Sequence, residues 1–122
     1  MFLRHITFAT LLLVGATLNA AAQTTLVMVE EQGCMWCARW NEELGDIYPK
    51  TAEGRAAPLT RLDIHDARPD GMTFARALTF TPTFVLVVDG METSRIEGYP
   101  GEDFFWGLLG QMLTWAKIDF EE

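Results

Sequence analysis

The chain has 122 residues, of which 49% are hydrophobic and 21% charged, and its formal net charge is -8 at pH 7. This length fits one domain, and the balance of residue types is typical of a folded globular protein rather than a disordered one. The excess of acidic residues argues against nucleic-acid binding and against docking on anionic lipid, because both depend on clustered Lys and Arg.

The first 22 residues have the pattern of an export signal. A short basic start precedes an uncharged, mostly apolar run over Ile6–Leu18, and Ala20–Ala22 supplies the small residues of a cleavage site. The run is shorter than the roughly 20 residues that span a hydrocarbon core, which favours a cleaved signal over an uncleaved anchor. We therefore expect a signal peptide over 1–22, a mature domain over 23–122 without stable membrane insertion, and a periplasmic location.

The first structural elements of the mature chain are a strand and a helix. Residues Thr25–Glu30 are β-rich and mostly apolar, which predicts a central strand covered on both faces. Gly33 breaks that pattern. From Cys34 the apolar residues recur at three- and four-residue spacing, which predicts a helix that Pro49 ends or kinks. The residues of its apolar face are Cys37, Trp40, Leu44, Ile47 and Tyr48.

The middle of the chain predicts two more strands with a helix between them. Residues 58–64 alternate apolar and polar, as a strand with one wet face does. A right-handed crossover through the preceding helix would make this strand parallel to the first. Residues 72–78 form a short helical candidate after a polar loop. Thr83–Val88 is the strongest strand pattern, and Asp89-Gly90 after it suits a type I′ hairpin turn.

The last elements complete the predicted fold. A return strand at about Glu92–Glu97 precedes a helix whose first turn holds Glu102 and Asp103, where negative charge suits a helix N-terminus. The apolar stripe of this helix consists of Phe105, Leu108, Leu109, Met112 and Ala116. The element order is β-α-β-α-β-β-α. It predicts an α/β fold, a three-layer α/β/α sandwich around a four-stranded mixed sheet.

Cys34 and Cys37 are the only cysteines, and their spacing points to redox chemistry. Residues three apart lie on one helix face, close enough for a disulfide. At the helix start, backbone N–H groups would stabilise a Cys34 thiolate, and Cys37 one turn later would be the buried, resolving thiol. A purely structural disulfide and half of a zinc site are the alternatives. The zinc site lacks further ligands, since His65 is the only histidine of the mature chain.

Two motifs together resemble the thioredoxin superfamily over nearly all of the mature chain. They are the Cys-x-x-Cys sequence at a helix start and Thr81-Pro82-Thr83-Phe84 running into an apolar strand. The resemblance implies a cis Thr81–Pro82 bond, with Pro82 beside the cysteines. It also implies that the backbone of Thr81 pairs with an extended substrate segment.

Three further segments resemble the periplasmic SoxS thioredoxins, which accompany the sulfur-oxidising Sox system of proteobacteria. These segments are Glu31–Trp40, Ile47–Thr51 and Arg95–Gly101. The resemblance implies a reductant that frees the cysteine of the Sox carrier protein from an inhibitory disulfide. It also implies that electrons arrive from a membrane thiol transporter of the CcdA/DsbD type.

The sequence departs from ordinary thioredoxin at the cysteines and beneath them. Trp36 lies between the cysteines, where no proline is present, so a redox potential does not transfer by analogy. Met28 occupies the place of thioredoxin's buried acid, six residues before the first cysteine. Glu30 or Glu31 could accept the proton of Cys37 instead, or both could simply end the strand in solvent.

Several other side chains have competing interpretations. Trp36 is predicted to face solvent and to form a docking platform for a protein partner. Trp40 has the helical spacing of a core residue, and His65 is expected to be an ordinary loop residue. Three further aromatic residues could form a partner surface or pack over the sheet edge: Phe104, Trp115 and Phe120.

The cysteine spacing and the resemblance together favour a thioredoxin-like protein-disulfide reductase with catalytic residues Cys34 and Cys37. Trp36 is the predicted partner platform, and the resemblance implies substrate contacts at Thr81 and Pro82. We expect no metal and no cofactor besides the redox-active Cys34–Cys37 disulfide itself. An exported thiol oxidant or isomerase is one alternative. A periplasmic copper chaperone is another, since soft sulfur ligands suit Cu(I).

Overall fold

The computed structural model describes residues 15–16 and 22–121. The predicted signal peptide therefore lies almost entirely outside the described residues. None of the helices formed by the described residues is long and apolar enough to cross a membrane.

Four strands form one mixed sheet in the order β2-β1-β3-β4. The strands are β1 (Thr24–Glu30), β2 (Leu59–Asp63), β3 (Thr83–Val88) and β4 (Met91–Glu97). Strand β1 pairs parallel with β2 and antiparallel with β3, and β3 pairs antiparallel with β4. The predicted four-stranded mixed sheet is confirmed, with a parallel pair at one side and a hairpin at the other.

The hairpin turn has the backbone that its sequence predicts. Asp89 has a φ of 51° and Gly90 a φ of 82°. A type I′ turn needs positive φ at both central residues, and its twist matches that of the two strands it joins. The turn therefore sets the pairing of Val88 with Met91 and of Val87 with Glu92, and an irregularity between Leu86 and Val87 shifts the register beyond them.

The segment after the cysteines is helical in several short pieces. Helix α1 (Met35–Trp40) continues into a π-helical turn over Asn41–Gly45, and a 3-10 turn follows over Tyr48–Lys50. Helix α2 (Ala52–Ala56) and the long helix α3 (Glu102–Trp115) complete the set. The single helix predicted from Cys34 to Pro49 is thus interrupted. Four residues of its predicted apolar face are buried, but Ile47 is 42% exposed.

Helices α1 and α3 cover the same face of the sheet. Alternate residues of β1 point to opposite faces, so that its whole apolar run is buried. The helix-covered face of the sheet consists of Leu26, Met28, Phe84, Leu86 and Ile96. The helices cover it with Trp40, Leu44, Phe105, Leu109, Met112 and Leu113. Most of the aromatic core lies on this side.

The opposite face carries no helix among the described residues, so the predicted helix over 72–78 is wrong. This segment is irregular, with Leu78 buried and Met72 and Phe74 packed against the sheet. Its backbone pairs outside itself: the Thr73 N–H donates to Gly90 O at 2.7 Å and the Thr73 carbonyl accepts from Glu92 N at 2.9 Å. Those tertiary hydrogen bonds replace the ones a helix would make, and the third layer is a coil.

A buried ion pair on β4 holds this coil in place. The side chains of Glu92 and Arg95 are each 4% exposed and form two hydrogen bonds, of 2.9 and 2.6 Å. Arg95 also donates to the carbonyl oxygens of Arg76 and Ala77, each at 3.1 Å. Glu92 accepts from the backbone N–H of Ala75 at 3.1 Å. The pair therefore satisfies the polar backbone of a segment that lacks secondary structure.

We predict that Glu92→Gln lowers the free energy of unfolding by about 2–3 kcal/mol at pH 7, measured by urea denaturation. Burial of the carboxyl group opposes its ionisation. Hydrogen bonds from Arg95 and Ala75, with the charges of Arg95 and Arg76, outweigh burial and place the pKa of Glu92 below its ordinary value. The stability from ionised Glu92 is therefore complete above about pH 4.3, the ordinary glutamate value, and is lost as the pH falls through the folded value.

The difference between wild type and Glu92→Gln should accordingly shrink as the pH falls below the ordinary glutamate value of about 4.3. Glu42→Gln, on the exposed side of the π turn, is the matched control and should change stability by less than about 0.5 kcal/mol. A Glu92→Gln loss that is independent of pH would show that the ionised pair does not stabilise the coil.

Candidate active site

The two cysteines lie at the start of α1 and form a disulfide. Their sulfur atoms are 2.07 Å apart and their Cα atoms 5.2 Å apart. Cys34 is the N-cap residue, and its Sγ accepts a hydrogen bond from the backbone N–H of Cys37 at 3.1 Å. Cys34 is partly exposed, whereas Cys37 is 3% exposed and belongs to the buried core. The sulfur of Cys34 is thus the one that a partner can reach.

The turn before the helix aims Cys34 at the rim of the sheet. Gly33 has a φ of 79°, a conformation that favours glycine, and the Cys34 N–H donates to Glu31 O at 3.3 Å. This tight turn links the end of β1 directly to the N-cap. Within the first helical turn, the backbone N–H of Cys37 points towards the Cys34 sulfur, as an anion at that atom would require.

Residues Thr81 and Pro82 lie in the loop that enters β3, and the bond between them is cis. The carbonyl oxygen of Pro82 accepts from the Gly98 N–H at 2.7 Å, and the Thr83 hydroxyl donates to Phe80 O at 2.7 Å. Hydrogen bonds from Gly98 and from Thr83 thus hold the two ends of this loop.

The cysteine turn and the Thr81–Pro82 loop meet at one edge of the sheet. In the β1–β3 pairing Val29 lies opposite Thr83, so the end of β1 and the start of β3 adjoin. A side-chain hydrogen bond links the loop to the cysteine turn: the Thr81 hydroxyl donates to Glu31 Oε1 at 3.1 Å. The structure thus brings the two predicted motifs together through Glu31.

The residues between the cysteines are exposed, as predicted for Trp36. Met35 is 73% and Trp36 49% exposed, and the guanidinium carbon of Arg39 lies 5.6 Å from the centre of the Trp36 ring. Phe80, just before Thr81, is 57% exposed. These apolar side chains flank Cys34 and the Thr81–Pro82 loop in the sequence and leave a surface on which a polypeptide could pack.

The remaining predicted residues separate into core and surface. Trp40 is fully buried, which confirms its core assignment. Phe120 packs against the helix-side core, whereas Phe104 and Trp115 are largely exposed. His65 follows β2, and its Nε2 lies 2.9 Å from Glu31 Oε2.

Arg61 is a neighbour of the site that sequence reasoning missed. It lies on β2, and its guanidinium donates to Glu30 Oε2 at 2.7 Å and to Asn41 Oδ1 at 2.8 Å. The same group lies 3.7 Å from the sulfur of buried Met28. The only sequence signal was its position on the polar side of an alternating strand, which does not distinguish it from a solvated residue.

Tyr99, next to the loop partner Gly98, was also missed. Its ring packs edge-on against Phe105 with centroids 6.2 Å apart. Burial raises the pKa of Tyr99 to about 12, and the neighbouring carboxylates of Glu43 and Glu102 add to that shift. Tyr99 therefore stays neutral at any physiological pH and acts as packing for the loop over 98–101.

Comparison with known proteins identifies the relatives of this site. No protein-family model and no curated protein matches the chain. A solved structure does match: the periplasmic thioredoxin SoxS from Paracoccus pantotrophus, in its reduced form, with 51% sequence identity and a TM-score of 0.76. The alignment covers 77% of this chain and 99% of that one. The chain belongs to the SoxS group of the thioredoxin superfamily.

This membership defines the chemistry of the cysteine pair in coarse terms. The chain is a SoxS-type thioredoxin whose disulfide joins a partly exposed cysteine to a buried one. It is therefore a thiol–disulfide oxidoreductase. The predicted thioredoxin fold is likewise confirmed. The coil over 72–78 is where this SoxS-type chain departs from the layer order predicted from its sequence.

The unequal burial of the cysteines predicts unequal alkylation of the reduced protein. Iodoacetamide should label Cys34 roughly ten times faster than Cys37 or more, because the thiolate at the helix start is favoured and reachable. Peptide mass spectrometry locates the label. In Cys34→Ala, Cys37 should stay unlabelled until denaturant is added. Equal labelling of both cysteines in the folded protein would contradict this assignment.

Proposed function

We propose that this protein is a periplasmic dithiol reductase that acts on a protein disulfide or a related oxidised cysteine. The observation that carries the proposal is the pairing of a reachable Cys34, at the N-cap of α1, with a buried Cys37 one turn behind it. The helix start favours a thiolate at the outer position, and the thiolate is the attacking species in disulfide exchange.

The proposed reaction transfers two electrons in two exchanges. The Cys34 thiolate attacks one sulfur of the substrate disulfide, so that a Cys34–substrate bond forms and the other substrate sulfur leaves as a thiolate. Cys37 loses its proton and attacks Cys34 Sγ, which releases the second substrate sulfur and forms the Cys34–Cys37 disulfide. Protons taken up by the two leaving sulfurs complete the substrate dithiol. The structure describes the oxidised form that ends this cycle.

The substrate is proposed to lie across the edge where the two motifs meet. The backbone of Thr81 would pair with an extended segment of the substrate next to its oxidised sulfur, with Pro82 as the wall opposite Cys34. Trp36 would be the apolar platform beside the reacting sulfur. Its ring is half exposed, and the guanidinium carbon of Arg39 lies 5.6 Å from the ring centre, within the range of a cation–π contact.

The physiological partners are proposed from kinship with SoxS. We propose that the substrate is the carrier protein of the Sox system in thiosulfate oxidation, whose cysteine this protein would return to the thiol. A membrane thiol transporter of the CcdA/DsbD type would then reduce the Cys34–Cys37 disulfide again. No cofactor besides this disulfide enters the cycle. Support comes from the 51% identity to a periplasmic thioredoxin of that name.

Removal of the resolving thiol should trap the substrate. In Cys37→Ala the mixed disulfide at Cys34 has no internal attacker, so a covalent adduct should accumulate in the periplasm. Non-reducing electrophoresis shows the adduct, and mass spectrometry of the released protein identifies the partner. Recovery of the Sox carrier with its swinging-arm cysteine would establish the proposed substrate.

Cys34→Ala is the matched control for this capture. It retains Cys37 but lacks the outer sulfur, so neither adducts nor turnover are expected. Normal reduction of insulin by Cys34→Ala would contradict the proposed mechanism. If the trapped partners were only newly exported proteins that have not yet formed their native disulfides, the result would favour a thiol oxidant over a reductase.

Export can be tested on the same expressed protein. We predict that the periplasmic form begins at Gln23, which intact mass and N-terminal peptide analysis would show. Replacement of Ala20 and Ala22 by bulky residues should leave the precursor uncleaved, because the cleavage site needs small side chains. A full-length protein found only in the cytoplasm would contradict the proposed location.

A further inference from the structure

We propose that Glu31 is a positioning residue for substrate docking, because it holds the Thr81–Pro82 loop in register with the cysteine turn. This inference rests on the proposed function and deepens it. It assigns to Glu31 a hydrogen-bonding role towards the docking loop, in place of a role as proton acceptor for Cys37.

The contacts of Glu31 link three segments of the chain. Its backbone carbonyl accepts from the Cys34 N–H at 3.3 Å. Its side-chain Oε1 accepts from the Thr81 hydroxyl at 3.1 Å, and its Oε2 lies 2.9 Å from His65 Nε2. One residue therefore joins the nucleophile turn, the docking loop and the end of β2.

The two oxygens of the Glu31 carboxylate have different partners. Oε1 is bound to the residue whose backbone would receive the substrate, so the position of that backbone depends on the hydrogen bond. Oε2 is tied to His65, whose own backbone N–H is fixed by Asp63 Oδ1 at 2.8 Å. His65, whose side chain is 77% exposed, thereby adds a second contact to the carboxylate of Glu31. A hydrogen bond to a carboxylate is stronger than one between neutral groups.

Neighbouring Glu30 provides a natural comparison. It follows Val29 on the same strand, yet its carboxylate pairs with Arg61 on β2 rather than with the docking loop. Truncation of Glu30 removes an equal charge from the same rim and leaves the bond from Thr81 to Glu31 in place. The two acids thus separate the effect of charge from the effect of loop position.

The experiment uses the reduced protein, freed of reductant, in single turnovers against two disulfides. Insulin offers a polypeptide backbone next to its disulfide, and the small aromatic disulfide DTNB does not. For Glu31→Ala we expect the half-saturating insulin concentration to rise about tenfold, the factor that about 1.4 kcal/mol produces. The limiting rate with insulin and the rate constant with DTNB should stay within about twofold of wild type.

Three further variants complete the test. Glu31→Gln keeps an oxygen acceptor for Thr81 and should restore insulin binding to within about threefold. Thr81→Val removes the donor from the other side, should raise half-saturation as Glu31→Ala does, and should add little to it in the double variant. Glu30→Ala should leave both substrates unchanged.

The outcomes separate this inference from the proposed function. Equal losses with insulin and DTNB in Glu31→Ala would place Glu31 in the thiol chemistry and overturn the positioning role. Glu31→Gln as poor as Glu31→Ala, or Glu30→Ala as poor as either, would show that charge rather than the bond to Thr81 matters, and would also overturn it. Failure of wild type itself to reduce insulin and DTNB would instead count against the reductase.

Discussion

The packing of Trp40 on the sheet decides where the reactive sulfurs lie. Its ring is fully buried, with ring centroids 5.3 Å from Phe84, 5.8 Å from Phe105 and 5.9 Å from Tyr48. Burial of an aromatic side chain of about 200 Å² stabilises by about 5 kcal/mol. The Trp40 Nε1 has no hydrogen-bond partner within the described residues, which costs about 1–3 kcal/mol and leaves a clear net gain. Because Trp40 ends α1, this anchor sets the rotation of the helix, turns Cys37 inward and leaves Cys34 at the rim.

The other wall of the site depends on the central strand pair. Strands β1 and β3 are neighbours, so whatever follows β1 and precedes β3 must meet at one edge of the sheet. The cysteine turn follows β1, and the Thr81–Pro82 loop precedes β3. Gly98 adds a third hydrogen-bonded segment to this edge. The position of the site therefore depends on the order of the strands as well as on the two motifs. Loops that are anchored on a rigid sheet keep their geometry well.

The sequence was sufficient for the elements whose signals are local or specific. The strand patterns, the Asp89-Gly90 turn and the cysteine spacing each constrain the backbone directly, and the fold and the sulfur positions follow from them. The coil over 72–78 was not predictable in that way. The spacing of Phe74 and Leu78 suits a helix, but the hydrogen bonds of Thr73 to the hairpin and those made by Glu92 and Arg95 outweigh that preference. Such contacts join residues about 17 positions apart, and local propensity carries no information about them.

The arrangement of charged groups near Cys37 was likewise not predictable from the sequence, and it distinguishes the surroundings of the two cysteines. Met28 stands where thioredoxin has a buried acid, and it belongs to the same buried cluster as Cys37. Arg61 lies 3.7 Å from the sulfur of Met28, and it pairs with Glu30; both charged side chains are partly exposed. An apolar surrounding disfavours the ionised form of a thiol, whereas the N-cap position favours it. In the proposed mechanism this asymmetry makes Cys34 the attacking sulfur and Cys37 the resolving one.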